Sequence, residues 1–86
     1  MIEYQVLIAD AAAKEYRALP ATVKNRLQAA VDGLKADPRP RGVKKLAGHE
    51  ALYRVRVGHY RIVYAIDDQQ KLVYVTRIRH RRDVYR

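Results

Sequence analysis

The stretch Leu52–Tyr64, LYRVRVGHYRIVY, decides the fold, because large apolar residues alternate with arginines on both sides of Gly58-His59. Alternation with a period of two predicts β-strands, and a two-residue connection that begins with glycine suits a type II′ hairpin turn. The stretch therefore predicts an antiparallel hairpin. Its expected cross-strand pairs are Val57 with Tyr60, Arg56 with Arg61, Val55 with Ile62, and Tyr53 with Tyr64.

The two faces of this hairpin differ in chemistry, since residues opposed across a strand pair project from the same side of the sheet. One face is apolar and is expected to lie against helices, whereas the other carries Arg54, Arg56 and Arg61. Like charges directly opposed destabilise a strand pair, which disfavours a purely structural role for Arg56 and Arg61. A solvated sheet face is one interpretation. A phosphate cradle is favoured, because guanidinium groups bind phosphate bidentately.

The rest of the chain predicts one strand and two helices before the hairpin and one strand after it. Asp10 can cap the first helix, and an apolar stripe from Val23 to Leu34 has helical spacing. The sequence therefore predicts a single domain, residues 1–86, of the α+β class, with a helical hairpin packed on one face of a mainly antiparallel sheet. The expected order is β-α-α-β-β-β: a strand over 2–8, helices over 9–19 and 21–36, a loop over 37–51, and strands over about 52–57, 60–66 and 72–78.

The register of the last hairpin is predicted from charge. Asp67 opposite Lys71 would pair opposite charges. That register would place Leu72, Tyr74 and Ile78 on the apolar face, and Arg77 and Arg79 beside Arg61. A slip of one residue would reverse every side chain.

The charge of the chain is strongly positive and unevenly distributed. Its 86 residues include 18 basic and 9 acidic side chains, for a net charge of +9. Residues 1–43 carry 7 basic and 5 acidic side chains (net +2), and residues 44–86 carry 11 and 4 (net +7). This favours a polyanionic partner such as nucleic acid or an acidic protein. With no cysteine, leader peptide or long apolar run, a cytoplasmic protein without disulfides or a membrane span is expected.

Three motifs resemble the RelE/ParE toxin superfamily, and its RelE branch in particular. They are KKLAG (Lys44–Gly48), LYRVRVGHYRIVYAI (Leu52–Ile66) and RHRRDVYR (Arg79–Arg86). The resemblance covers nearly the whole chain and implies a RelE-like microbial ribonuclease fold. It implies the toxin of a type II toxin–antitoxin system, which enters the ribosomal A site and cuts mRNA there by attack of a ribose 2′-hydroxyl on the adjacent phosphate. No metal or other cofactor is implied. The implied partners are an acidic cognate antitoxin, the ribosome and mRNA.

The resemblance also assigns roles to residues of this chain. Arg61 and Arg81 would stabilise the pentacovalent phosphate, and Tyr85 would stack on a base beside the cut. Arg79 and Arg82 are close rivals of Arg81. The implied catalytic set is Arg54, Arg56, Arg61, Arg81 and Tyr85, and the implied RNA and ribosome contacts are Lys44, Lys45, Arg77, Arg82 and Arg86.

The proton acceptor is where this chain departs from the family. Relatives often have lysines at the positions of Arg54 and Arg56, and one of them is usually cast as the acceptor. Arginine, with a pKa above about 12, holds its proton too tightly for easy base chemistry. Either the arginines act by electrostatics alone, or the base is elsewhere, with His80 or His59 as candidates. The three histidines lack the compact spacing of metal ligands, so no metal site is expected.

Two other functions remain open at this point. The first is a ParE-like toxin that inhibits DNA gyrase by binding and catalyses nothing, and the second is a non-catalytic RNA-binding module. The ParE-like toxin would share the fold but would have no need of Arg54, Arg56, Arg61 and Arg81 together. Cleaved mRNA would indicate the ribonuclease, whereas altered plasmid supercoiling would indicate the gyrase inhibitor.

Overall fold

The computed structural model describes residues 3–46 and 52–80. Its elements are β1 Gln5–Ile8, α1 Asp10–Arg17, α2 Ala21–Ala36, β2 Lys44–Lys45, β3 Leu52–Val57, β4 Tyr60–Asp67 and β5 Leu72–His80. The strands form one sheet in the order β1-β5-β4-β3-β2, in which β1 runs parallel to β5 and the other neighbouring strands are antiparallel. The α+β class and the helical hairpin are confirmed, whereas the edge strand β2 lies in the stretch predicted to be a loop.

The central hairpin, β3 and β4, has the predicted register. Val57 pairs with Tyr60 and Arg56 with Arg61, and the pairing continues to Tyr53 and Tyr64. Gly58 has a φ of 61°, which is the left-handed backbone that the first position of a type II′ turn requires. The turn chemistry and the alternation therefore agree, and together they set which side chains share a face.

The core lies between the helices and one face of the sheet. α2 buries Leu27, Val31 and Leu34, which recur at helical spacing and so form one stripe. The other buried apolar side chains are Ala12 of α1 and Ile62, Tyr64, Val73, Val75 and Ile78 of the sheet. No helix within the described residues is long and apolar enough to cross a membrane.

The predicted register of β4 with β5 is wrong, although the faces predicted for the residues at the far end of the pair are right. Asp67 pairs with Leu72 instead of Lys71, because the turn is one residue longer than expected, with Lys71 at a φ of 56°. Val73 and Val75 are therefore the core residues, whereas Tyr74 is 44% exposed. A bulge between Val63 and Tyr64 then shifts the register again. Past this bulge Arg61 pairs with Arg79, where the predicted register would have paired it with Arg77. Ile78 nevertheless lies in the core, and Arg77 and Arg79 share the face of Arg61, as predicted.

Candidate functional site

The sheet face opposite the helices, here called the open face, carries two adjacent rows of basic residues. In the first row Arg56, Arg61 and Arg79 lie side by side on β3, β4 and β5. Neighbouring strands are about 4.8 Å apart, so these three side chains start within reach of a single phosphate group. The second row, two residues along the strands, contains Lys44, Arg54, Val63 and Arg77. These six basic residues (Lys44, Arg54, Arg56, Arg61, Arg77 and Arg79) are called the arginine face.

Arg61 occupies the centre of the first row and is only 3% exposed. We expected a partly solvated arginine, so its burial is a correction to the sequence interpretation. Its cross-strand neighbours, Arg56 and Arg79, are both cations. Electrostatic interactions strengthen where water is excluded, so an anion held against Arg61 is attracted more strongly than it would be on an open surface. The site is thus a buried cation flanked by two more accessible ones.

Glu15 of α1 reaches the arginine face, and the sequence analysis did not identify it. Arg77 donates from Nε and Nη2 to Glu15 Oε2 at 3.2 and 2.9 Å. Glu15 Oε1 accepts the backbone N–H of Ile78 at 2.8 Å, and Arg79 Nη1 lies 3.6 Å from Oε2. The carboxylate raises the pKa of Arg77 through this hydrogen bond. Glu15 lies more than sixty residues before its partners, so no local sequence pattern relates them.

His80 lies on the other side of the sheet from the arginine face. It pairs with Tyr60, and its ring stands edge-on to the Tyr60 ring with centroids 5.2 Å apart. The His59 ring is 6.3 Å from it. Because side chains alternate along a strand, His80 shares the helix side with Ile78, while Arg79 projects towards Arg61. The geometry therefore favours Arg79, and not His80, as the additional member of the site.

Of the remaining predicted site residues, the structure describes the two lysines of β2 but not the residues after His80. Lys44 pairs with Arg54 and belongs to the arginine face, whereas Lys45 pairs with Tyr53 and projects from the opposite side. Arg81, Arg82, Tyr85 and Arg86 lie outside the described residues.

An apolar row borders the arginine face on the same side of the sheet. Leu7, Tyr74, Ala65 and Leu52 are cross-strand neighbours on β1, β5, β4 and β3. Leu7 is 39% exposed and Tyr74 is 44% exposed, so large apolar surface remains open to solvent. The open face thus combines an apolar half with a strongly basic half.

Comparisons with known proteins agree with this architecture. The family model described as the ParE toxin of type II toxin–antitoxin systems, parDE, matches residues 6–85. The chain belongs to the RelE/ParE superfamily of toxins. It is 28% identical over 90 residues to toxin RelE3 of Methanocaldococcus jannaschii, with 94% of each chain covered.

Solved structures of RelE toxins share the fold. A chain of the RelE–RelB complex from Pyrococcus horikoshii is 31% identical, with a TM-score of 0.81 over 91% of this chain and 94% of that one. The isolated RelE toxin of E. coli is 28% identical, with a TM-score of 0.78 over 90% of this chain and 83% of that one. The protein is therefore a toxin of a toxin–antitoxin system, built on the RelE fold.

Proposed function

We propose that this toxin is an mRNA endoribonuclease that acts on the translating ribosome. The observation that carries the proposal is the row Arg56, Arg61 and Arg79, with the central guanidinium buried. Guanidinium groups brought together in this way can bind one phosphate bidentately. RNA supplies such a phosphate in its backbone, and the RelE relatives support the same assignment.

The proposed reaction is transesterification within the RNA chain. The 2′-hydroxyl of a ribose loses its proton to solvent as its oxygen bonds to the adjacent phosphorus, and the bond from phosphorus to the 5′-oxygen breaks. The 5′-oxygen takes up a proton from solvent, which leaves a 2′,3′-cyclic phosphate and a 5′-hydroxyl. Arg61 and Arg79 would bind the non-bridging oxygens, whose negative charge grows in the pentacovalent transition state. Arg54 and Arg56 would hold the flanking backbone. Arg81 and Tyr85 keep the roles that the family resemblance gives them.

The arginine face supports electrostatic catalysis better than proton abstraction by one of its own side chains. Its described ionisable groups are arginines and Lys44, together with the Glu15 carboxylate, which is engaged by Arg77 and Ile78. Arginine remains protonated near neutral pH. Removing one preorganised donor from such a site costs about 10²–10³-fold in rate, which is the size of effect expected from these guanidinium groups.

The experiment that tests this function is primer extension on mRNA after induced expression. We expect cuts inside translated regions, which disappear when Arg61 is replaced by Gln at the same protein level. The ParE-like alternative is kept because the matching family model bears that name. Intact mRNA together with altered plasmid supercoiling would refute the ribonuclease proposal and support gyrase inhibition.

We also propose an acidic antitoxin as the partner that neutralises this toxin in the cytoplasm. The RelE chains of the Pyrococcus and E. coli complexes are bound to RelB antitoxins. On this chain, the apolar row beside the arginine face suits a segment that presents apolar and acidic side chains together. Such a segment would bury Leu7 and Tyr74 and would mask the cations that bind RNA.

A further inference from the structure

We propose that Glu15 is a positioning residue for the RNA cleavage proposed above, on which this inference rests. Its carboxylate clamps the end of β5 to α1, so that the Arg79 guanidinium is held beside that of Arg61. Glu15 does not contact the RNA itself. It acts through the two arginines that flank Ile78.

The clamp joins one carboxylate to three consecutive residues of β5. Arg77 donates two N–H groups, the Ile78 backbone donates one, and Arg79 Nη1 stands 3.6 Å away. The Glu15 side chain is 24% exposed and that of Arg79 is 33% exposed, so the group is partly sheltered from water. Hydrogen bonds to a charged acceptor are stronger than neutral ones, particularly where several converge.

The position of Glu15 follows from where the parallel strand ends. β1 pairs with β5 only from Leu72 to Val75, and the Ala9 N–H bonds to the Val75 carbonyl at 2.8 Å before α1 begins. Beyond this point α1 flanks the outer edge of β5. The Ile78 N–H at that edge needs an acceptor, and Glu15 supplies it. The clamp therefore completes the edge of β5 between the two arginine rows.

Fixing Ile78 also fixes its neighbours, because side chains alternate along a strand. Ile78 packs into the core, and Arg79 must then project from the open face opposite Arg61. The negative charge of Glu15 has two effects of opposite sign. It offsets repulsion among the cations and keeps them in place, but it also weakens the attraction of the face for RNA. Removing the charge should therefore impair the chemical step without weakening binding.

The test is Glu15→Gln, measured by single-turnover cleavage of mRNA on programmed ribosomes. Gln can still accept the Ile78 N–H but cannot form the ion pairs with Arg77 and Arg79. We expect the maximal rate constant to fall about tenfold, while the half-saturating toxin concentration stays the same or decreases. The matched control is Asp32→Asn on α2, whose carboxylate lies 3.6 Å from Lys35. It should leave both quantities unchanged.

Two further measurements separate positioning from folding. The melting temperature and the hydrogen exchange of the Ile78 amide should match the parent in Glu15→Gln, and exchange should accelerate in Glu15→Ala. A loss of rate that only follows a loss of folded protein would overturn the proposal, as would a parental rate constant in Glu15→Gln.

The clamp can also be tested in the free toxin by nuclear magnetic resonance, which does not depend on RNA cleavage. The Nε–H resonance of Arg79 should shift and broaden in Glu15→Gln, since the guanidinium is no longer held. An unchanged resonance would overturn the clamp. A parent toxin that leaves mRNA intact would instead refute the ribonuclease function, while the resonance would still report on the clamp.

Discussion

For Arg61, the sequence predicted the position in the sheet but not the burial of the side chain. The period-two pattern predicted its strand, its face and its partner Arg56, because alternation and turn length determine pairing. It did not predict that Arg61 would be 3% exposed. Burial depends on tertiary contacts that the alternation of one hairpin does not encode, and Arg79 comes from a strand whose register the sequence left ambiguous. The ion pair between Arg77 and Glu15 was not predicted either, because its two residues are 62 positions apart in the sequence.

The first prediction concerns Arg61→Gln. This change should lower activity by about 10²-fold or more, since a donor to the transition state is lost. The isolated toxin should keep its fold and melt within a few degrees of the parent, because Arg61 stands between two other cations, Arg56 and Arg79. Sulfate should raise the melting temperature of the parent more than that of Arg61→Gln at matched ionic strength, because a bound anion stabilises only the intact cradle.

A conservative variant controls for charge in the same melting experiment. Arg61→Lys retains the positive charge but lacks the planar fork that binds phosphate bidentately, so its sulfate response should fall between those of the other two proteins. If Arg61→Gln unfolds several degrees earlier than the parent and responds to sulfate as the parent does, Arg61 is structural and the cradle interpretation fails.

At the scale of elements, the loop before β2 is tied to the turn between β4 and β5. Asp68 in that turn accepts hydrogen bonds from Arg39 Nη1 and Nη2 at 3.1 and 2.9 Å and from the Tyr4 hydroxyl at 2.6 Å. The buried Tyr64 hydroxyl donates to the Pro38 carbonyl at 2.8 Å, and burial raises the pKa of Tyr64 to about 12. These contacts hold the segment that leads to Lys44 on the arginine face.

The same turn explains why the last hairpin was predicted incorrectly. The sequence analysis paired Asp67 with Lys71 for their charges, but Asp67 accepts the Gln70 N–H within the turn at 3.0 Å. Asp68 binds Arg39, which comes from a distant loop. Local charge matching therefore failed because Asp67 is engaged within the turn and Asp68 is engaged by a segment outside the hairpin.

The second prediction concerns Asp68→Asn and acid stability. Hydrogen bonds from Arg39, and then from Tyr4, lower the pKa of Asp68 to about 2. A carboxyl group with a lowered pKa stabilises the fold above its ordinary pKa of about 3.9, and this stabilisation is lost as the pH falls towards the folded value. The melting temperature of the parent should therefore drop more between pH 4 and 2 than that of Asp68→Asn, while the parent melts higher at pH 7. Parallel pH profiles for the two proteins would contradict this assignment.

At the scale of the whole molecule, the sequence predicted the class of fold and the basic character of one face, but not the edges of the sheet. Helical and strand periods were strong enough to place both helices and the central hairpin. The two-residue strand β2 and the parallel pairing of β1 with β5 depend on contacts between distant segments. Those edges matter for function, since Lys44 extends the arginine face on one side and Glu15 closes it on the other.

The last prediction tests whether RNA binding depends on the net charge of the toxin or on where that charge lies. Arg56 is exposed on the open face, whereas Lys35 is exposed on α2, on the opposite side of the sheet, and each substitution by Gln removes one positive charge. Each phosphate contact to a single strand contributes about 0.7 to the slope of log affinity against log salt. Arg56→Gln should therefore reduce the slope for binding to mRNA-programmed ribosomes by about 0.7, and Lys35→Gln should leave it unchanged. Equal reductions in the two variants would show that net charge alone controls binding, and the arginine face would lose its assignment as the RNA site.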